Sequence, residues 1–168
     1  LDRTLNGFLN ENIEFKGVLF IGLMIENNQA KVLEYNARFG DPETEVVLPR
    51  LKSDLIDIML KCIEGNLTED DLQWEDNKCV TVILASGGYP ESYEKGKEIT
   101  GINEVDDDII IFHGGTKLSG NKTVTDGGRV LAVTAMGKSL EEARKKVYKN
   151  IHKINFEKME YRTDIAKI

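Results

Sequence analysis

Residues 34–45 read Glu-Tyr-Asn-Ala-Arg-Phe-Gly-Asp-Pro-Glu-Thr-Glu, and no other part of the chain is as informative. The pattern predicts a strand that ends in a Gly-Asp-Pro turn and opens a helix. In an extended segment Glu34 and Asn36 point to the same side, and Arg38 follows two positions later. Carboxylate and amide oxygens beside a guanidinium are groups that typically surround Mg²⁺ and phosphate oxygens. The stretch therefore indicates a site that handles a nucleotide.

The segments around this stretch predict an α+β arrangement. Residues 1–12 have the spacing of a helix tail, and residues 17–25 form an apolar run that predicts a strand buried on both faces. Residues 30–36 are expected to pair with that strand as a β-hairpin. Beyond the turn, Asp41 is predicted to cap a helix, and a further helix is expected between residues 53 and 65.

A change of composition predicts the domain organisation. Between residues 66 and 78 the chain is polar and acidic, with Trp74 as its one aromatic side chain. We therefore expect a first domain at residues 1–66, a linker at 67–73 and a second domain at 74–168. The second domain is predicted to be compact and β-rich, because short apolar runs alternate there with Gly-rich turns.

Three apolar runs and one capped helix define the second domain. The runs at residues 79–85, 109–112 and 129–135 are predicted strands. Ser139 and Glu142 have the spacing of a capping box, which predicts a helix start at this point. The predicted core face of that helix consists of Leu140, Ala143, Val147 and Ile151.

Composition and charge narrow the classes of function. The 168 residues carry a formal net charge of −7 with a pI of about 5.0, which argues against nucleic acid or an anionic membrane as partner. A small phosphorylated ligand needs only a few local cations and stays compatible with this charge. We expect neither a membrane span nor a signal peptide. The two cysteines lack metal-ligand spacing, so we expect a reduced, cytoplasmic protein.

Two glycine turns in the second half are candidate anion sites, each with two open interpretations. After the first glycine pair, Thr116 and Lys117 are suited to donate to phosphate oxygens, but the segment also fits a strand bulge with an exposed lysine. Gly127 and Gly128 precede Arg129 and fit either an anion nest or a plain hairpin turn. On spacing alone, the Glu-x-Asn pattern likewise fits a solvated strand face.

Taken in order, these segments resemble the C-terminal part of the phosphoribosylamine–glycine ligase family, also called glycinamide ribonucleotide synthetase. Each motif is weak alone, whereas their ordered combination over nearly the whole chain is specific. The resemblance rests on residues 22–25, 32–45, 51–55, 85–90, 113–117 and 127–131.

The resemblance implies an ATP-dependent C–N ligase of the ATP-grasp superfamily that acts in de novo purine biosynthesis. Such an enzyme joins glycine to 5-phosphoribosylamine: ATP activates the glycine carboxylate as an acyl phosphate, the amine attacks it, and ADP and phosphate are released. ATP, glycine and 5-phosphoribosylamine are then the expected small-molecule partners. Mg²⁺ or Mn²⁺ is the expected cofactor, because it offsets the repulsion between anions during phosphoryl transfer.

The resemblance also implies roles for individual residues. Glu34 and Asn36 match the family's metal ligands, and Arg38 is the expected catalytic residue. Arg38, Gly40 and Asp41 are expected to bind the ATP phosphates. The residues expected to bind the acceptor substrate are Asp41, Pro42, Glu43, Thr116, Lys117, Gly127, Gly128 and Arg129.

The resemblance covers only part of such an enzyme. Residues 1–66 would be the terminal hairpin and helix of the ATP-grasp domain, and residues 74–168 the complete C-terminal domain. The chain begins with Leu1, and we expect the N-terminal portion of the same enzyme to be missing, so that this chain alone is inactive. Two alternatives are another ATP-grasp carboxylate–amine ligase of purine synthesis and a non-catalytic domain that retains the fold.

Overall fold

A computed structural model describes residues 1–167, and their contacts divide the chain into two compact units. Leu1–Gly40 and Leu51–Trp74 form the first unit. The second unit comprises Asp41–Arg50 and the chain from Glu75 onward. The contacts therefore place residues 41–50, which follow the hairpin, in the second unit. The composition of the sequence had predicted that these residues belong to the first domain.

Helices and strands follow one another in mixed order along the described chain. Their bounds are α1 Asp2–Asn10, β1 Phe20–Glu26, β2 Gln29–Asn36, α2 Thr44–Val47, α3 Leu55–Glu64, β3 Lys78–Ser86, β4 Ile109–His113, β5 Thr116–Ser119, β6 Lys122–Thr125, β7 Arg129–Gly137, α4 Leu140–Ile151 and β8 Met159–Glu160. Short 3₁₀ turns occupy Leu48–Arg50, Glu69–Asp71 and Ile102–Glu104. None of the helices in residues 1–167 has the length and apolar character needed to cross a membrane.

The first unit contains the predicted β-hairpin, in which β1 and β2 pair antiparallel with a register shift after Gly22. The prediction that β1 is buried on both faces is wrong. Leu23, Met24 and Ile25 are 49%, 53% and 70% exposed. These side chains stay uncovered because β1 and β2 form a separate two-stranded sheet, and a fully apolar strand becomes buried only when layers pack on both of its faces.

The helix α3 in the first unit begins and ends as its sequence predicts. Oδ1 of Asp54 accepts hydrogen bonds from the backbone N–H groups of Ile56 at 2.7 Å and Asp57 at 3.3 Å. At the other end Gly65 adopts a left-handed φ of 79°, and its N–H binds carbonyls of the last turn. Local capping chemistry therefore fixes both ends of this helix.

The predicted capping role of Asp41 is wrong. Helix α2 begins at Thr44, the residue at its cap position is Glu43, and no side chain caps it. The carboxylate of Asp41 instead accepts a hydrogen bond from Nη1 of Arg129 at 3.0 Å. This pairing with a residue 88 positions away takes the Asp41 carboxylate out of the local capping interaction.

The second unit is an α+β fold built on a four-stranded antiparallel sheet with the order β4-β7-β3-β8. All three apolar runs predicted as strands belong to it, as β3, β4 and β7. Helix α4 packs against β3 and β7. The core on this side comprises Val80, Val82, Leu84, Leu131, Val133, Ala135, Ala143, Val147 and Ile151.

Helix α4 starts with the predicted cap. Oγ of Ser139 accepts from the N–H of Glu142 at 3.1 Å, and the Glu142 carboxylate accepts from the N–H of Lys138 at 2.9 Å. Ala143, Val147 and Ile151 are fully buried, but Leu140 is 37% exposed. The predicted core face is therefore wrong at Leu140, which lies in the first turn of the helix.

The opposite face of the sheet receives the turn that follows the hairpin. Helix α2 packs against β3 and β7, and the side chains of Thr81 and Ile83 on β3 alternate with those that face the core. Oγ1 of Thr134 donates to Oγ1 of Thr81 at 2.7 Å on this face. Helix α2 thus contacts the same two strands as α4, and Asp41, which precedes it, binds Arg129 at the start of β7.

Candidate functional site

Glu34 and Asn36 lie on one face of β2, as the sequence predicts. Their partners across the hairpin are Gly22 and Phe20. A Cβ added to Gly22 would lie 2.9 Å from Cγ of Glu34, so the glutamate side chain lies directly over the glycine. Glycine at this position leaves the space that the Glu34 side chain occupies.

Arg38 does not share that strand face. Strand β2 ends at Asn36, and Arg38 lies in a bend. Its Nη1 donates to the carbonyl oxygen of Phe39 at 2.9 Å, and the side chain is exposed. The sequence predicts that Arg38 lies on the same strand face as Glu34 and Asn36. This prediction is wrong, because β2 ends two residues before Arg38.

The donor set on β2 fits a cation that a substrate helps to bind. Glu34 supplies a carboxylate and Asn36 an amide oxygen, which are the hard ligands that Mg²⁺ and Mn²⁺ accept. Within residues 1–167 no group of three or more His, Cys, Asp or Glu side chains is arranged to hold a metal. Mg²⁺ typically takes one or two protein ligands and completes its shell with water and phosphate oxygens. The residues present therefore suit a cation shared with a phosphorylated ligand.

In the second unit, Arg129 is held by Asp41 and lies near Tyr89. Its Nη1 donates to both the carboxylate and the carbonyl oxygen of Asp41, at 3.0 and 2.5 Å. The guanidinium carbon lies 6.0 Å from the centroid of the Tyr89 ring. Burial lowers the pKa of Arg129, but the interactions with Asp41 and Tyr89 outweigh it, so this pKa lies above its ordinary value. Arg129 is therefore a fixed, permanently charged group.

The glycine turns bring backbone segments into close contact. A Cβ on Gly115 would lie 2.5 Å from Cα of Gly127. The N–H of Gly115 donates to the carbonyl of Arg129 at 2.7 Å, and the N–H of Asp126 donates to the carbonyl of Gly115 at 2.7 Å. The N–H groups of Gly115 and Asp126 are thus bound within the protein, and these bonds pack the two glycine turns against each other.

Thr116 and Lys117 contact side chains of their own neighbourhood. Oγ1 of Thr116 lies 3.0 Å from Nδ1 of His113. Nζ of Lys117 donates to Asp126 at 3.1 Å. This hydrogen bond is the main reason that the pKa of Asp126 is lowered. Lys117 is thus the cationic partner of a carboxylate, and an anionic ligand would compete with Asp126 for it.

Two cavities open beside Arg129 on the face that carries α2. The first, here called the Glu45 cavity, has a volume of about 330 Å³ and is lined by Asp41, Glu45, Ile83, Phe112, Gly114, Gly115 and Arg129 together with the adjoining residues of β7. The second, the Tyr89 cavity, has about 540 Å³; its lining includes Pro42, Tyr89, Arg129, Glu160, Tyr161 and Arg162. Arg129 contributes to both cavities, and Asp41 and Pro42 each contribute to one.

Glu45 lines the Glu45 cavity, and the sequence analysis did not single it out. Its Oε2 is buried without a hydrogen-bond partner among the described residues. Burial raises the pKa of this carboxyl group and outweighs a hydrogen bond from its own backbone N–H, which lowers it; the nearby charges of Asp41 and Glu43 also raise it. An acidic residue in the first turn of a helix normally reflects the helix dipole, so the sequence contains no signal that separates Glu45 from its neighbours.

Comparison with known proteins identifies relatives of both halves of the chain. Residues 79–168 match the family model described as phosphoribosylglycinamide synthetase, C domain. Residues 1–44 match the model described as phosphoribosylglycinamide synthetase, ATP-grasp (A) domain. The two matches follow one another along the chain, the ATP-grasp domain first.

Individual relatives are longer than this chain. A phosphoribosylamine–glycine ligase from Caldanaerobacter subterraneus subsp. tengcongensis is 51% identical over 156 residues, which cover 93% of this chain and 37% of the relative. A bifunctional purine biosynthetic protein from Dictyostelium discoideum is 49% identical over 177 residues, covering 99% and 22%. The crystal structure of phosphoribosylamine–glycine ligase from Thermotoga maritima is 38% identical, with a TM-score of 0.82, over 97% of this chain and 40% of that one. The chain thus spans about two fifths or less of the length of these relatives.

Proposed function

The chain belongs to the phosphoribosylglycinamide synthetase family, and on that premise we propose that it is the C-terminal part of an ATP-dependent ligase. The reaction is the joining of glycine to 5-phosphoribosylamine in purine biosynthesis, with release of ADP and phosphate. We assign residues 1–66 to the end of the ATP-grasp domain, 67–73 to a linker and 74–168 to the C-terminal domain. The parent enzyme acts in the cytoplasm, and its N-terminal portion is the partner of this chain.

The observation that best supports a nucleotide-dependent site is the shared strand face of Glu34 and Asn36, opposite Gly22. In this proposal the two side chains hold Mg²⁺ or Mn²⁺ together with phosphate oxygens of ATP. The cation supplies charge neutralisation where the phosphates and the glycine carboxylate meet. Gly22 keeps the Glu34 side chain in place, because any larger residue would displace it.

Arg38 is the proposed catalytic residue. Its exposed guanidinium donates to the carbonyl of Phe39, and a planar fork of donors has further N–H groups for phosphoryl oxygens. Those donors would stabilise the charge that spreads over the transferred phosphoryl group. Gly40 and Asp41 follow directly in the chain, and we assign them to the phosphate side of the site.

The acceptor sugar is assigned to the second unit. Arg129 supports this assignment best, because it is held by Asp41 and lines both cavities. Pro42 and Glu43 belong to the same turn. Thr116, Lys117, Gly127 and Gly128 stay in the proposed set; Lys117 donates to Asp126, and its ammonium has further N–H donors for the sugar phosphate.

Measurement of product formation tests the proposal. The full-length parent protein is mixed with ATP, Mg²⁺, glycine and 5-phosphoribosylamine, and ADP release is followed with each substrate omitted in turn. We expect release that needs both glycine and the amine, and none from this chain alone. Release that depends on another carboxylate or amine would assign the protein to a different ATP-grasp ligase. Absence of any release from a folded parent would leave a non-catalytic domain.

A further inference from the structure

We propose that the Tyr89 cavity binds the phosphate end of the acceptor, 5-phosphoribosylamine, and that Arg162 is a phosphate-binding residue there together with Arg129. This inference rests on the proposed ligase function and assigns a position to the sugar phosphate. The observation that carries it is that two guanidinium groups from separate segments line one cavity. Arg129 begins β7, and Arg162 follows β8.

The charges at the Tyr89 cavity favour an anion. Among the described residues that line it, Arg129 and Arg162 are the cations and Glu160 is the one carboxylate. The carboxylates that pair with the two arginines belong to Asp41 and Asp164, and neither is part of the lining within residues 1–167. The chain as a whole carries a net charge of −7, so an excess of cations at one cavity is a local feature.

The guanidinium group of Arg162 is oriented by a neighbour and keeps donors for a ligand. Its Nε and Nη2 donate to the two oxygens of Asp164 at 2.9 and 2.6 Å. This two-point pair fixes the plane of the group. A guanidinium has five N–H donors, and the pair uses two of them. The side chain is 72% exposed, so a ligand in the cavity has access to the other donors.

The backbone that carries Arg162 is held in place by helix α4. The hydroxyl of Tyr148 donates to the carbonyl of Arg162 at 2.8 Å and accepts from the N–H of Ile165 at 3.2 Å. Nε and Nη2 of Arg144 donate to the carbonyls of Ile165 and Thr163 at 3.0 and 2.9 Å. Because these contacts order the segment before any ligand binds, less conformational freedom is lost on binding.

The size and lining of the cavity fit a pentose phosphate. Its volume of about 540 Å³ lies within the range of about 300–1,000 Å³ that is usual for small-molecule sites. Ile83 and Ile165 supply apolar surface, and Tyr89 and Tyr161 contribute aromatic rings. The carboxylate of Glu160 can accept from a ring hydroxyl. Guanidinium groups bind phosphate through charge-assisted hydrogen bonds that are often bidentate.

Calorimetry of the full-length parent protein, with ribose 5-phosphate as the probe, tests binding separately from catalysis. Wild type should bind ribose 5-phosphate, and ribose without the phosphate much more weakly. Arg162→Gln should lower the affinity for ribose 5-phosphate about 30-fold, because charge-assisted hydrogen bonds are lost. Lys145→Gln removes the same charge from an exposed position in α4 and should match wild type.

Steady-state kinetics of the same proteins give a second measurement. In Arg162→Gln the KM for 5-phosphoribosylamine should rise by a similar factor, with kcat and the KM values for ATP and glycine nearly unchanged. A parallel rise in all three KM values together with a lower Tm would assign Arg162 a structural role and overturn the inference.

The outcomes separate the inference from the proposed function. Equal affinity of wild type and Arg162→Gln for ribose 5-phosphate would overturn the inference and leave the ligase proposal standing. A loss of affinity in Lys117→Gln but not in Arg162→Gln would place the phosphate at Lys117 and also overturn it, as would equal binding of ribose and ribose 5-phosphate. If the wild-type parent has no ligase activity, the proposed function fails, whereas the calorimetric comparison still decides whether Arg162 binds a phosphate.

Discussion

Replacement of Gly128 by alanine should destabilise the second unit through one defined clash. A Cβ at this position would lie 2.0 Å from Cδ2 and 2.6 Å from Cε2 of the Tyr89 ring. Carbon atoms in contact normally lie about 3.5–4.0 Å apart, so the ring must move by roughly 1.5 Å or more. Tyr89 is 37% exposed and has room to move outward, which limits the cost. We expect Gly128→Ala to lower the free energy of unfolding by about 2 kcal/mol.

A double-mutant cycle tests whether the ring is the cause. Tyr89→Ala alone should cost about 1 kcal/mol, because the ring is only partly buried. If the clash is with the ring, Gly128→Ala in the Tyr89→Ala background should cost much less than in wild type. The double variant should then be destabilised by about 1.5 kcal/mol rather than the additive value of about 3 kcal/mol.

Chemical denaturation followed by circular dichroism measures these differences, and thermal unfolding gives a second reading. For a chain of this size, 2 kcal/mol corresponds to a fall in Tm of roughly 6 °C. Gly7→Ala is the matched control, because a Cβ at Gly7 in α1 meets nothing within 4 Å and alanine favours a helix. Additive effects of the two substitutions would refute the clash as the cause, and so would a neutral Gly128→Ala.

Three further substitutions have distinct expected outcomes. Glu34→Gln in the full-length parent should lower Mg²⁺-dependent ADP release about a hundredfold, since the proposed metal ligand would lose its charge, and an unchanged rate would remove it from the site. Ser86→Ala should cost about 1–2 kcal/mol in urea unfolding, because the buried hydroxyl donates to a glycine-turn carbonyl at 2.8 Å; a neutral result would contradict this. Hydrogen bonds from Lys61 and from Thr68 lower the pKa of Asp71 to about 2. Its stabilising effect is therefore present above the ordinary value of 3.8 and is lost as the pH falls from there through about 2. Acid titration followed by the fluorescence of Trp74 should show this loss in wild type and not in Asp71→Asn.

Elements fixed by local chemistry were predictable from the sequence. The ends of α3 follow from the side chain of Asp54 and the left-handed backbone of Gly65, both within one turn of the helix. The start of α4 follows from Ser139 in the same way. The hairpin follows from two apolar runs around a polar turn. In each case the atoms that decide the structure are a few residues apart.

Features decided by distant residues were not predictable. Asp41 has the sequence context of a helix cap, and only its pairing with Arg129, 88 residues later, removes it from that role. The exposure of Leu23 depends on which layers cover the hairpin, and hydrophobicity does not contain that information. The burial of the Glu45 side-chain oxygen and the cavity beside this residue both depend on the segments that pack around it, and the sequence does not show them. Local sequence patterns thus did not predict contacts between segments that lie far apart in the chain.

The Asp41–Arg129 pair explains how residues 41–47 can take part in a site of the second unit. Its side chains are 61% and 40% exposed, and ion pairs with that exposure contribute about 0–1 kcal/mol to stability. Stability alone therefore gives little reason for the contact. The same pair fixes Arg129 at the border of the two cavities and holds the turn that carries Pro42 and Glu45. Because one guanidinium contacts both the side chain and the backbone of Asp41, its main effect is to set the position of that turn, and lysine at 129 would lose this two-point geometry while keeping the charge.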